Sequence, residues 1–210
     1  MRTDSSPSGR KRNPIIEAAR RAQIIDAAIE TVATVGYARA SLARIAQQAK
    51  TSKSVVSYHF AGKDDLLVQV VTQIYTDTWA FMEPRISAEP SAAGKLRAYI
   101  TAELDYMRLH RSRLLAVANI VTNHRADDGS LRFPPGAEES VVTVLSEILR
   151  GGQEDGEFRD FDPRVVAVTV SQALDGALGQ WVTDPTTDLQ AYAAELTTLF
   201  DLATRREGSR

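Results

Sequence analysis

Between Ser41 and Lys63 the chain reads SLARIAQQAKTSKSVVSYHFAGK, and this stretch decides the fold. Leu42, Ile45, Ala46 and Ala49 recur at helical spacing on one face. Lys50 and Thr51 interrupt the pattern, and Ser52 supplies the side-chain oxygen that opens a second short helix. Val55, Val56 and His59 continue at helical spacing until Phe60, Ala61 and Gly62 end it. Two short helices joined by a tight turn make a helix-turn-helix unit, whose second helix is offered to a major groove while the first crosses the backbone. No Asp or Glu occurs in these 23 residues, whereas Arg44, Ser52, Lys53, Ser54, Ser57, Tyr58, His59 and Lys63 bring hydrogen-bond donors. A surface without carboxylates suits the approach to phosphates.

Over residues 21–67 the chain resembles the N-terminal domain of the tetracycline-repressor (TetR) family of transcription regulators. The resemblance is carried by a first helix ending in Gly36-Tyr37, by Ser41, by Ile45-Ala46 and Ala49, and by Ser52. It continues through Tyr58-His59-Phe60, Lys63 and Leu66-Leu67. It implies DNA contacts from Arg21, Ser41, Arg44, Ser52, Lys53, Ser54, Val55, Ser57, Tyr58, His59 and Lys63. The family usually places Gly at the turn, with positive φ, where this chain has Lys50, and an apolar residue where it has Thr51. A lysine held in that left-handed conformation costs about 1 kcal/mol.

Charge agrees once it is divided by position. The 210 residues carry a net charge of only -2. Residues 1–63 hold 11 Lys/Arg against 4 Asp/Glu, a net of +7, and residues 64–210 hold 14 against 23, a net of -9. That is a basic head on an acidic body. An apolar fraction of 43% and a charged fraction of 25% are those of an ordinary globular protein. Cysteine is absent, which excludes disulfides, zinc-thiolate sites and thiol chemistry. No apolar run approaches the roughly 18 residues of a membrane helix, and no signal-peptide core is seen, so a cytoplasmic protein is expected.

The remaining pattern is all-α. Residues 1–13 read as a flexible arm whose Arg10, Lys11 and Arg12 either touch DNA or have no role. A helix runs from Pro14 to the stop at Gly36, with Arg20 and Arg21 near phosphate, and completes a three-helix DNA-binding domain over 14–62. A fourth helix is predicted from Lys63 to Met82, stopped by Glu83-Pro84. Five more follow at 91–109, 112–124, 136–151, 163–183 and 189–205, with Asp162-Pro163 as an N-cap and first-turn proline. Residues 63–205 thus form an effector-binding and dimerisation domain, and 206–210 a tail.

The last two of these helices carry Ser171, Asp175, Leu178, Gly179 and Trp181, then Tyr192, Leu196, Leu199 and Phe200. The resemblance implies that they pair with a second copy as a four-helix bundle, although the same residues could simply be core. Aromatic and polar side chains suited to an effector pocket are Tyr75, Trp79, Met82, Tyr99, Tyr106, Asn119, Thr122, Asn123, Phe133 and Gln172. Ordinary packing competes with that role at each position. The ligand is not legible.

Catalytic patterns are missing. His59 has no orienting carboxylate nearby in sequence, and His110 and His124 lack metal-ligand spacing. Asp127-Asp128-Gly129-Ser130 lacks the alternating ligands of a calcium loop. The chain is therefore expected to need no cofactor or metal and not to be an enzyme. Two functions remain. One is a homodimeric repressor on a pseudo-palindromic operator, released by a small molecule, its fourth helix transmitting the signal as the resemblance implies. The other is a helical adaptor whose basic head meets an acidic protein.

Overall fold

A computed structural model describes residues 14–133 and 139–206. The expected basic arm at 1–13 and the last four residues of the tail lie outside the described residues. Among the described residues the chain forms helices throughout, with two isolated bridges and no strand.

Helix α1 (Pro14–Val35) buries Ile24, Ile25, Ala28, Ile29 and Val32 along one stripe, whereas Ile15, Ala18 and Ala22 in its first half are exposed. Gly36 ends it with φ 78, and its N–H still reaches the Val32 carbonyl at 2.9 Å. A 3-10 turn over Tyr37–Arg39, not anticipated from the sequence, leads into α2 (Leu42–Gln48) and α3 (Lys53–His59). These three helices close around Ile24, Ala28, Ile45, Val56 and Phe60, all buried.

Helix α4 (Lys63–Ser87) is longer than expected and runs through Pro84. Proline removes one backbone donor, yet it sits near the exposed end of the helix, where water can serve the Ala80 carbonyl left behind. Met82 and Ile86, both buried, pull the last turn onto the body, and the Ala88 N–H bonds the Pro84 carbonyl at 3.2 Å. At 25 residues the helix spans about 37 Å, with its first turns in the head and the rest in the body.

The body comprises α5 (Ala92–Leu109), α6 (Arg111–Asn123), α7 (Glu139–Glu154), α8 (Pro163–Thr183) and α9 (Leu189–Thr204). Helix α5 packs against α4, α7, α8 and α9. Ser91 caps it by accepting the Gly94 N–H at 3.0 Å, and Asp162 caps α8 by accepting from Arg164 and Val165. The expected start of α7 at 136 lies outside the described residues, and its end passes Gly151 to reach Glu154. Gly152 is needed inside it, since a Cβ there would stand 2.3 Å from the Phe158 ring. Phe158 folds back beneath α7 and pairs with Arg205 at the end of α9, while Arg159 binds the Thr204 and Ala203 carbonyls.

Helix α6 lies along α1 in the same direction. Asp26 meets Arg113, Gly36 faces Asn119, and the Tyr37 hydroxyl meets His124. The head is therefore seated on α6 as well as on α4.

Candidate nucleic-acid interface

The turn between α2 and α3 is built as a helix stop. Lys50 takes φ 50, alone among the described non-glycine residues in having positive φ. Its N–H bonds the Gln47 carbonyl at 3.1 Å, and the Thr51 N–H bonds the Ala46 carbonyl at 2.9 Å. These two bonds are the Schellman pattern, so the lysine at this position keeps the geometry a glycine would give. Gln23 of α1 secures the turn further by donating to the Ala49 carbonyl at 2.9 Å.

Helix α3 begins at Ser52, whose Oγ accepts the Val55 N–H at 3.3 Å and meets the Ser54 hydroxyl at 2.8 Å. Val56 points into the core. Ser41, Arg44, Ser52, Lys53, Ser54, Ser57 and Tyr58 are exposed together, and Val55 and His59 are half-buried at their edge. The Tyr58 ring meets His59 edge-on at 4.9 Å, and its hydroxyl reaches Glu17 of α1 at 3.3 Å.

Two of the expected phosphate contacts are engaged inside the chain. Arg21 donates to the His59 carbonyl and lies 4.5 Å over the Phe60 ring, so it closes the C-terminus of α3. Lys63 donates to the Tyr37 carbonyl at 2.8 Å and sits 4.4 Å over that ring. Burial lowers the Lys63 ammonium below its ordinary value, opposed by Asp64. Arg21 thus holds the end of α3 against α1, and Lys63 holds the start of α4 against the 3-10 turn that follows α1. Sequence spacing could not show this, because the partners are 38 and 26 residues away.

The same joint brings together Tyr37 and His124, which the sequence named separately, and Asp64, which it did not. The Tyr37 hydroxyl lies 3.0 Å from Nδ1 of His124, the residue that ends α6, and Asp64 is 3.9 Å from the same nitrogen. Burial holds the His124 imidazole below its ordinary value; Asp64 opposes this, and Arg132 and Lys63 reinforce it.

In the body the ten expected pocket residues are not gathered around one cavity. Tyr75 and Trp79 are 38% and 42% exposed, whereas Met82, Tyr99 and Tyr106 are core. Asn119, Thr122 and Asn123 bond carbonyls of their own helix. Gln172 faces outward beside Asp175 at 3.2 Å, and Phe133 is half-buried, 6.0 Å from His124. A groove of 460 Å³ instead opens between α4 and α5, lined by Arg85, Glu89, Arg97 and Asp105 among others. The sequence reading missed it because its walls are charged, and charge at helical spacing reads as a solvated face. One expected residue does stand out. The buried Tyr106 hydroxyl makes no hydrogen bond of good geometry, although the nearby Thr78 hydroxyl, which donates to the Ile74 carbonyl at 2.8 Å, still has a lone pair to offer it. Burial raises this phenol, which keeps its proton.

Of the expected interface residues, Asp175, Gly179 and Leu199 are exposed, and Leu178, Tyr192 and Leu196 are half-buried. Ser171, Trp181 and Phe200 are buried within the single chain, with Arg111 4.8 Å over the Trp181 ring. Spacing alone could not separate them, since one helix presents faces to both the core and solvent. Val165, Val168 and Leu202 are exposed and were not expected. At Gly176 and Gly179 a Cβ would meet nothing within 4 Å.

A three-helix head with a capped, carboxylate-free second helix-turn-helix helix, joined through α4 to a helical body, defines a DNA-binding transcription regulator. Residues 24–70 match the family described as bacterial regulatory proteins, tetR family. The HTH-type transcriptional regulator BetI of Paraburkholderia xenovorans (strain LB400) is 39% identical over 181 residues, covering 74% of this chain and 92% of that protein. The chain belongs to the TetR family, and like these relatives it is a regulator and not an enzyme. The match to BetI of Paraburkholderia phytofirmans, at 40% identity, spans 87 residues and less than half of that relative, 45%. In fold the chain is similar to the fatty acid degradation regulator FadR of Bacillus halodurans, with TM-score 0.76, 21% identity, and coverage of 90% and 99% of the two chains. FadR of Bacillus subtilis in complex with stearoyl-CoA gives TM-score 0.73 at 22% identity, covering 85% and 96%.

Proposed function

We propose that the chain is a homodimeric repressor that binds a pseudo-palindromic operator and is released by a small-molecule effector. The observation that carries the reading is the exposed row on α2 and α3, from Ser41 and Arg44 through Lys53, Ser54, Ser57 and Tyr58, free of carboxylates and fixed by two helix caps. In this reading residues 14–62 are the DNA-binding domain and 63–205 the effector and dimer domain. The open face of α8 and α9 supports the dimer, because Val165, Val168, Leu199 and Leu202 are exposed around bare glycines. Two copies joined there would present their recognition helices to successive major grooves. The buried Tyr106 hydroxyl, with only a poorly formed contact to Thr78, supports an effector site in the body, near Phe81 and His110. The Bacillus subtilis neighbour is a regulator in complex with an acyl-CoA, which fits such a site in this fold. Among the described residues no helix is long and apolar enough to cross a membrane, and the cytoplasm is the proposed location.

The test is selection of duplexes from a random pool by the full-length protein, followed by fluorescence anisotropy on the selected duplex and a scrambled one. Tight binding to a two-fold symmetric site, falling steeply with salt, is expected. Equal binding to both duplexes would overturn the operator reading and return weight to an acidic protein partner.

A further inference from the structure

We propose that Arg113 is the positioning residue through which the body sets the orientation of the DNA-binding head. The guanidinium stands where three helices meet. Its Nη1 donates to Asp77 of α4 at 2.6 Å, and its Nη2 reaches Asp26 of α1 at 3.3 Å. Gln73 steadies the other Asp77 oxygen at 2.8 Å. Beside it, Ser112 donates to Glu30 of α1 at 3.2 Å, so consecutive residues at the start of α6 grip the head.

This reading deepens the proposed regulator and rests on it. The two carboxylates belong to different parts of the molecule: Asp77 rides on the body portion of α4, and Asp26 on the long helix of the head. A planar guanidinium can serve both at once, because its donors form a rigid fork, and a lysine ammonium cannot copy that geometry. The pairs are partly solvated, with Arg113 26% and Asp26 63% exposed, so they add little to stability. Their consequence is geometric. Any shift of α6 relative to α4 changes how the fork is divided and tilts α1.

The body side of the device is adjacent. His110, the single residue between α5 and α6, stacks on Tyr106 with ring centroids 4.3 Å apart and meets Phe81 of α4 at 6.2 Å. Something that moves this aromatic group moves the corner from which Arg113 projects. A second link at the other end of α6, His124 with Tyr37, makes the helix a rod held to the head at both ends.

The experiment uses the duplex that the full-length wild-type protein selects from a random pool. Affinity is measured for Asp26→Asn, Arg113→Gln, the double variant and Arg113→Lys, with urea midpoints taken alongside. Asp26→Asn is expected to weaken binding on the order of tenfold. Generic electrostatics predicts the opposite sign, since removing a carboxylate from the head should favour DNA. The double variant should be no weaker than Arg113→Gln alone, the Asp26→Asn midpoint should match wild type, and Arg113→Lys should not restore full affinity. Unchanged or tighter binding by Asp26→Asn, or additive losses in the double variant, would overturn the proposal. Failure of the wild type to select any sequence would overturn the operator reading beneath it.

Discussion

Tyr106 shows what a single polar atom in the core implies. Its hydroxyl is buried with only a poorly formed contact to Thr78, and a buried group left wholly unbonded costs about 1–3 kcal/mol. Tyr106→Phe removes the oxygen and keeps the ring against Phe81 and His110, so the effector-free protein should gain about 1 kcal/mol, read as a higher urea midpoint. A lower midpoint would mean that the hydroxyl is satisfied in solution. His124 gives a pH dependence. Its folded pKa lies below the unfolded 6.5, so the unfolded chain takes up the proton first as pH falls. Stability is therefore full above pH 6.5 and declines below it until the folded value is passed. Urea midpoints between neutral and mildly acidic pH should show that decline, and His124→Gln should flatten it. The carboxylates of Asp128, Glu139 and Asp184, held low chiefly by side-chain hydrogen bonds, act in a separate window below their ordinary values.

At the scale of elements, Gly152 is the sharpest constraint. A methyl group there would meet the Phe158 ring at 2.3 Å and Ala92 at 2.8 Å, within one core. Gly152→Ala is expected to destabilise by about 1–3 kcal/mol, read by thermal or urea unfolding. The elements themselves were largely legible in the sequence. Ser41, Ser52 and Asp162 announced helix starts because a cap is local chemistry, satisfied within three residues. Pro84 misled because its effect depends on burial: with Met82 and Ile86 anchored, the helix continues past it. The site was legible only on its surface. The exposed row of α3 follows from helical spacing. Which cations also brace the head does not, since Arg21 and Lys63 donate to distant carbonyls. The pocket was least legible, because an aromatic residue has the same apolar character lining a cavity or filling a core.

For the whole molecule, the decisive question is what covers α8 and α9. Leu199 is 55% exposed on α9, and Val165 and Leu202 are more than half exposed. Sedimentation should show a dimer, and Leu199→Glu should shift it to monomer with little loss of helix signal. Operator affinity should fall with it, since a monomer engages one half-site. A Leu199→Glu protein that remains dimeric would place the interface elsewhere.

The seating of α1 on α6 also has a consequence in time. Asp26 and Arg113, like Tyr37 and His124, are separated by 87 residues. At synthesis rates of about 5–20 residues per second, that distance corresponds to roughly 4–17 s. The head can close its small core as soon as α3 and α4 have emerged. Throughout that interval, however, α1 carries one side bare, waiting for a helix not yet made. The nascent head is thus at its most adhesive before the body exists, and a pause within α5 would prolong that state.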